Sequence, residues 1–183
     1  TITVQPQTGA GTYHFYGLSN EVASPAAATL TVGDATDRTF SGTISGVGHL
    51  VKQGSGTFTL AGDNTYRRTT TVQAGTLALG NSGTNNNIAA STHIHLADNT
   101  MLDVTGLDTG SATDTLILAA GQTLSGTGTV LGNLIAAGGS TVAPGASPGI
   151  LHQNGDLTLD AGSTYAFELN GPYATAGVDY DQI

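Results

Sequence analysis

The sequence predicts an all-β protein folded as a parallel β-helix, a solenoid of short strands, and three observations support this prediction. Glycine accounts for 27 of the 183 residues, about twice its usual share, whereas charged residues make up only 9%. Apolar and polar residues alternate in short runs that end at Gly, Asn, Asp or Pro, which is typical of strands joined by turns. One strand-like unit recurs 19 residues later, and repetition near this period is typical of a solenoid.

The repeated unit has the form Gly-Thr-apolar-small-Leu and occupies residues 56–60 and 75–79. The segment after the first copy, residues 61–65, reads Ala-Gly-Asp-Asn-Thr and favours a turn. Residues 65–72 are too rich in β-branched side chains to form a helix. Because side chains alternate between the two faces of a strand, the apolar residues of each copy share a face: Phe58 with Leu60, and Leu77 with Leu79.

The surrounding sequence resembles the passenger-associated repeat of bacterial autotransporters. The chain departs from that repeat just after the tyrosine, where the family usually has glycine and this sequence has Arg67 and Arg68. This difference predicts an exposed basic pair at an altered turn. The residues that carry the resemblance are Leu50, Lys52, Gly54, Gly56, Leu60, Gly62, Asn64, Tyr66, Thr70, Val72, Gly75 and Leu77.

The other elements follow from alternation along the chain. Residues 1–40 form an irregular N-terminal part, with an aromatic run at 13–16, a helix-breaking Pro25 and a strand at 29–32. Residues 41–80 hold the passenger-associated repeat, and closing coils occupy 122–183. We expect the polar run 81–87 to be a surface loop. Further predicted strands are 39–44, 48–51, 93–96, 100–104, 115–118, 157–159 and 164–169.

The closing coils are similar to the C-terminal part of an autotransporter passenger, so that the resemblance covers residues 40–183. It implies a right-handed, single-stranded parallel β-helix, located upstream of the protein's own outer-membrane β-barrel and implicated in starting passenger folding. We expect the densest alternating apolar pattern to be the folding core, and Leu159→Asp to abolish protease-resistant surface display. The motifs are Leu124–Gly128, Val142–Gly149 and Asp179–Gln182, and the expected folding core is Leu157, Leu159, Tyr165, Phe167 and Leu169.

Composition excludes several classes of function. The net charge is −9, and from Thr69 onward there are nine acidic residues and no basic one, which excludes a nucleic-acid binder. The chain has no cysteine, so it has no disulfide framework and no thiolate metal site. No apolar run of about 18 residues is present, so we expect no membrane insertion by this segment. We expect it to be part of a longer secreted protein with no signal peptide of its own.

Three motifs that could carry chemistry have simpler interpretations. Residues 145–149 match G-x-S-x-G, but Pro148 follows Ser147 and provides no N–H for an oxyanion hole. His93 and His95 have a spacing that can hold zinc, yet strand alternation explains two outward histidines and no third ligand is nearby. The acidic turns lack the nonapeptide of calcium-binding β-rolls. We therefore expect no catalytic residue, no metal site and no cofactor.

The remaining candidates suggest an interaction surface. Its expected residues are Tyr13, Phe15 and Tyr16, which could stack on a sugar or a partner, and the basic pair Arg67 and Arg68. Core packing at the end of the solenoid is the alternative for Tyr13 and Phe15. The resemblance implies a surface-displayed or secreted stalk of a Gram-negative adhesin or virulence factor, and we expect it to bind a host-surface ligand or to self-associate. The alternative, a β-helix polysaccharide lyase or hydrolase, requires clustered carboxylates that the spacing does not predict.

Overall fold

The structure, a computed structural model, describes residues 2–3, 12–15, 28–80, 88–108, 113–145, 148–171 and 175–183. Within these residues it contains β-strands and no helix, and every pair of named strands is parallel. The described part therefore has no helix that could cross a membrane. The predicted all-β parallel solenoid is confirmed; its right-handed sense stays a prediction.

The largest sheet forms the first face of the solenoid, and most of its neighbours are one coil apart in the sequence. Several of its strands end at or just before a glycine with positive φ, among them Gly33, Gly126 and Gly145, where the chain turns towards the next face. In order along the sheet they are β1 (Ile2–Thr3), β3 (Ala28–Val32), β6 (Gly48–Lys52), β8 (Arg68–Val72), β10 (Ser91–Leu96), β13 (Thr123–Gly126), β16 (Thr141–Pro144) and β19 (Thr164–Tyr165).

The two other faces complete each coil. The second face is a six-stranded sheet of β4 (Arg38–Phe40), β7 (Thr57–Leu60), β9 (Thr76–Leu79), β11 (Met101–Asp103), β14 (Thr129–Leu131) and β17 (His152–Asn154). The third face contains two separate sheets. They are the pair β2 (Thr12–Phe15) and β5 (Thr43–Gly46), and the three strands β12 (Thr115–Leu118), β15 (Asn133–Ala136) and β18 (Leu157–Leu159).

The core consists of columns of side chains that run along the solenoid axis. On the first face, strand register stacks one inward residue of each coil on the next. Burying an aliphatic side chain stabilises the fold by about 1.5–3 kcal/mol, so each column couples neighbouring coils. This column is Leu30, Leu50, Thr70, Ile94, Leu124 and Val142, all of them buried.

The repeat that the sequence displays is a pair of stacked strands. Phe58 lies opposite Leu77 and Leu60 opposite Leu79, and all four side chains are buried. The predicted shared face is therefore confirmed. The glycine in the following turn is needed because a Cβ on Gly62 would clash with the backbone oxygen of Gly42 in the preceding coil.

One strand prediction is wrong in its extent. The run predicted as a single strand, residues 39–44, is divided between β4 and β5 by a corner at Ser41 and Gly42. Alternation continues through this corner, but the chain passes from the second face to the third. The buried Gly42 lies where the next coil passes closely, so the backbone turns there instead of continuing the strand.

The predicted folding core lies at the open end of the solenoid. Leu157 and Leu159 lie opposite the buried Leu134 and Ala136, so they continue the interior columns. Three members of the set are partly exposed: Leu159 is 47%, Phe167 53% and Leu169 58% exposed. In the described chain no later coil stacks on β18 or β19. Leu157 and Tyr165 are half-buried against the core, and the role of the set in folding stays a prediction.

Several predicted features lie outside the described residues. They are Tyr16, the Pro25 segment up to residue 27, the loop at 81–87, and Ser147. The side chains of Tyr13 and Phe15 are likewise outside the description, although their backbone forms β2.

Candidate functional site

The outer surface of the first face presents rows of hydroxyl and imidazole side chains. On β10, Ile94 and Leu96 are buried, whereas His93 and His95 point outward, as predicted from alternation. His93 lies between Thr69 on β8 and Thr123 on β13, and His95 lies directly opposite Ser125 on β13. The register therefore places both imidazoles beside one serine of the next coil.

Both imidazoles contact the same hydroxyl oxygen. His93 Nε2 lies 2.7 Å from Ser125 Oγ, and His95 Nδ1 lies 3.1 Å from it. The two rings meet edge to face with their centroids 6.3 Å apart. Because a hydroxyl has one proton to donate, at least one ring must donate its own N–H to Ser125 when both hydrogen bonds form.

Two histidines on this face, His93 and His49, have lowered pKa values. Burial, together with the neighbouring charge of His95, lowers the pKa of His93. Burial also lowers the pKa of His49, with a smaller contribution from Arg68. His49 Nδ1 lies 2.6 Å from Thr69 Oγ1 in the next coil, so the pattern of an imidazole beside a hydroxyl occurs twice.

The predicted basic pair lies at the corner between the third face and the first, and both side chains are exposed. The backbone N–H of Arg67 donates to Gly46 O at 2.9 Å. Arg68 has φ of 127°, a region that L-residues rarely adopt. The hydroxyls of Ser91 and Thr92 donate to Arg68 O at 3.0 and 3.2 Å, which helps to hold this conformation.

The structure brings part of the predicted interaction surface together. The backbone of Phe15 in β2 lies opposite Gly46 in β5, and the residue after Gly46, Val47, forms a bridge with Arg67. Three successive layers of the third face therefore contain, in order, the aromatic strand β2, the strand β5 and Arg67. Arg68 begins the next strand, on the first face.

A line of hydroxyls runs inside the solenoid beneath this corner, and sequence reasoning missed it. Tyr66 Oη lies 2.6 Å from Thr70 Oγ1, and Thr70 Oγ1 lies 2.8 Å from Ser91 Oγ in the next coil. Burial raises the pKa of Tyr66, so its phenol stays protonated. The one signal in the sequence is that Thr70 and Ser91 fall at inward positions of their strands.

Lys52 is a second polar group in the interior and is fully buried. Its Nζ donates to Gln53 O at 3.1 Å, Gly54 O at 2.8 Å and Ala74 O at 2.9 Å. Three acceptors match the three donors of an ammonium group. Burial lowers the pKa of Lys52, opposed by the charges of Asp34 and Asp37. Alternation from Leu50 predicts an inward Lys52, but the identity of its partners depends on the fold.

Asp181 fastens the end of the chain to an earlier corner. Its Oδ1 accepts the N–H of Gly149 at 2.7 Å, and its Oδ2 accepts the N–H of Glu168 at 2.8 Å. The side chain is 7% exposed. The final closing motif, which the sequence singled out only by resemblance, thus includes a buried structural carboxylate.

The arrangement offers little for catalysis. Within the described residues, no group of three or more His, Cys, Asp or Glu side chains could hold a metal ion. The groups with perturbed pKa values are distributed over several parts of the described chain. They are His49 and His93 on the first face, the capped Lys52, the buried Tyr66, the turn residue Asp34 and the half-buried Tyr165. The class defined by these features is a β-solenoid whose polar groups mainly couple coils.

Comparison with known proteins agrees with this class. Residues 50–79 match the family model described as the passenger-associated-transport-repeat. The chain is 35% identical over 155 residues to an extracellular serine protease of Serratia marcescens. It is 40% identical over 108 residues to the adhesin BmaC autotransporter of Brucella suis biovar 1 (strain 1330). No solved structure gives a significant match.

These matches concern a small part of each relative. They cover 84% and 59% of this chain but only 12% and 3% of the lengths of the two relatives. The repeat, the relatives and the solenoid together support the assignment of this chain to an autotransporter passenger domain. The matched repeat includes Lys52, Asn64 and Thr70, whose contacts join successive coils. It also includes Tyr66, which is hydrogen-bonded to Thr70 within its own coil.

Proposed function

We propose that this segment is a non-catalytic stalk in a passenger that is displayed on, or secreted from, a Gram-negative bacterium. The observation that carries the proposal is the continuous ladder on the first face, from β3 to β19, in which each strand pairs with the next coil. A ladder of this kind forms an extended support along one axis. It would hold the regions attached to it away from the cell. The polysaccharide lyase or hydrolase alternative is not favoured, because the described carboxylates are not clustered.

Two features of the full-length protein belong to this proposal. The passenger is linked to its own outer-membrane β-barrel, as the autotransporter assignment implies. The predicted interaction residues contribute to contact with a host-surface ligand or with another passenger; they are Tyr13, Phe15, Tyr16 and the corner residues Arg67 and Arg68. This contact is supported by the exposure of both arginines and by the bridge that joins Val47 to Arg67.

The closing coils are the proposed folding nucleus. Each coil of a solenoid is stabilised mainly by its neighbours, so the coil that forms first is a template for the rest. Parallel strands pair residues that are distant in the chain and therefore nucleate slowly. The half-buried Leu157 and Tyr165 pack against the core, and Asp181 fastens this region to Gly149.

Two leucine-to-alanine substitutions distinguish an effect on the nucleation of folding from an effect on the free energy of unfolding. In the full-length protein, Leu60→Ala removes a fully buried side chain and costs about 2–5 kcal/mol, whereas the half-buried Leu157 should cost less. If the closing coils nucleate folding, Leu157→Ala nevertheless lowers protease-resistant surface display more than Leu60→Ala. Display that follows equilibrium stability instead would contradict nucleation and leave the stalk role intact.

The interaction surface and the non-catalytic role have separate tests. Arg67→Ser with Arg68→Ser should reduce cell binding or self-association without changing the amount displayed. Unchanged binding and oligomeric state would remove this corner from the proposal. Hydrolysis or elimination of a polysaccharide by the purified 183-residue chain would contradict the non-catalytic assignment.

A further inference from the structure

The pair of imidazoles on β10 has a property that the stalk role does not require. His93 Nε2 and His95 Nδ1 flank one oxygen atom, Ser125 Oγ, at 2.7 and 3.1 Å. Two outward residues of a single strand are about 6.6 Å apart along it, a spacing that two imidazoles can close around one ion. The rings therefore already converge on a common point above the sheet.

We propose that His93 and His95 bind one divalent transition-metal ion, with Cu²⁺ preferred. Imidazole suits Cu²⁺, Ni²⁺ and Zn²⁺, and affinity for a nitrogen site is greatest for Cu²⁺. Nitrogen–metal distances are about 2.0–2.1 Å, so the two rings close around an ion that lies on the solvent side of the serine hydroxyl, clear of the Cβ that carries this oxygen. Water completes the coordination, because the described chain places no third His, Cys, Asp or Glu there.

Metal binding changes which nitrogen of a ring carries the proton. In the metal-free chain one ring donates N–H to Ser125. On metal binding, that ring transfers its proton to its other nitrogen, so each ring offers a lone pair and stays neutral. No net proton is released and no redox partner is needed.

Ser125 keeps its place when the ion binds. Because His93 and His95 face outward, the ion lies on the solvent side of the hydroxyl. Ser125 also lines an open cleft, through which the water molecules that complete the coordination can enter. The other residues that line the cleft are Ala143, Pro144, Gly145, Ala166, Phe167, Glu168 and Asp181.

The other described histidines lack this convergence and are suitable controls. His49 contacts Thr69 on a different pair of strands, and His152 is an exposed residue of the second face. Substituting either one leaves the pair on β10 intact. The controls also report any binding at the N-terminal amine or at scattered histidines.

The test is Cu²⁺ titration of the purified 183-residue chain without a histidine tag, read by equilibrium dialysis and by electron paramagnetic resonance. We expect one ion per chain, a micromolar Kd and coupling to two nitrogens. His93→Asn and His95→Asn should each weaken binding by about tenfold or more, whereas His49→Asn and His152→Asn leave it unchanged. Far-UV circular dichroism must show the same β-spectrum for every variant.

Competition provides a second measurement. Ni²⁺ and Zn²⁺ should displace Cu²⁺ only at higher concentration, and Mg²⁺ and Ca²⁺ should not displace it. Equal Cu²⁺ binding by the wild type and the His93→Asn, His95→Asn double variant would overturn the proposal. Loss of the bound ion in His152→Asn would also overturn it. So would an electron paramagnetic resonance spectrum in which Cu²⁺ is coupled to one nitrogen only.

Discussion

The ammonium group of Lys52 lies 2.9 Å from the carbonyl oxygen of Ala74, one coil further along the solenoid. The same group also binds the oxygens of Gln53 and Gly54, so a single buried charge satisfies two turns of adjacent coils. A buried charge without partners is strongly destabilising, whereas one with all its donors used holds its neighbours in place. Lys52 is therefore part of the junction between coils.

Lys52→Met should lower the free energy of unfolding by about 3 kcal/mol, because the substitution keeps the bulk but leaves three carbonyl groups without this donor. Urea denaturation followed by circular dichroism measures the change. Val51→Met on the outward side of the same strand is the matched control and should change stability by no more than about 0.5 kcal/mol. Equal effects of the two substitutions would show that the ammonium contacts contribute nothing.

Arg68→Gly should stabilise the chain by about 1 kcal/mol. A positive φ costs an L-residue about 1–3 kcal/mol, which exceeds the extra backbone entropy that glycine loses on folding. Arg67→Gly is the control: Arg67 has no positive φ, so the same change should destabilise by about 0.5–1 kcal/mol. Shifts of the same sign in thermal unfolding would rule out strain at Arg68.

Asp34 should titrate far below its usual range. Hydrogen bonds from the hydroxyl and the N–H of Thr36, together with Arg38, lower the pKa of Asp34 from 3.8 to about 2. Because the folded pKa is the lower one, the stabilisation is present above about pH 4 and is lost as the pH falls towards 2. Carboxyl ¹³C NMR measures this pKa directly. Thr36→Val, which removes the hydroxyl, should raise it; an unchanged value would exclude the proposed cause.

Asp181→Ala should loosen the end of the chain at a cost of about 2–3 kcal/mol, because the buried N–H of Gly149 and the partly buried N–H of Glu168 lose their acceptor. Amide hydrogen exchange should increase at these two positions. Asp179→Ala is the comparison: Asp179 Oδ2 accepts an N–H from the exposed Thr175, so its removal should cost less. Unchanged exchange at Gly149 and Glu168 in Asp181→Ala would contradict this role.

Alternation and repetition predicted the parts of the fold that depend on local chemistry. The stacking of Phe58 on Leu77 follows from an offset visible in the sequence. The corner at Gly42 did not follow, because alternation has the same appearance whether a strand continues or passes to another face. The exposed Leu159 had the pattern of a core residue, and its exposure depends on which coils stack on it.

The candidate sites were predictable only to the level of a face. Alternation placed His93 and His95 outward, but the serine between their rings is 30 and 32 residues away in the sequence. The distance between Asp181 and Gly149 in the chain is likewise 32 residues. Contacts of this kind depend on the number of residues in each coil, which varies with the length of the corners.

The strands that carry the column from Leu30 to Val142 are joined by hydrogen-bonded ladders, and these ladders determine how the molecule responds to force. Hydrogen bonds between parallel strands lie along the solenoid axis, so tension applied to the two ends of the axis stretches successive ladders in series. Each ladder must then carry the whole load, and the weakest junction opens first. The stalk should therefore lengthen in steps of one coil, and junctions such as that of Lys52 should set the order in which the coils detach.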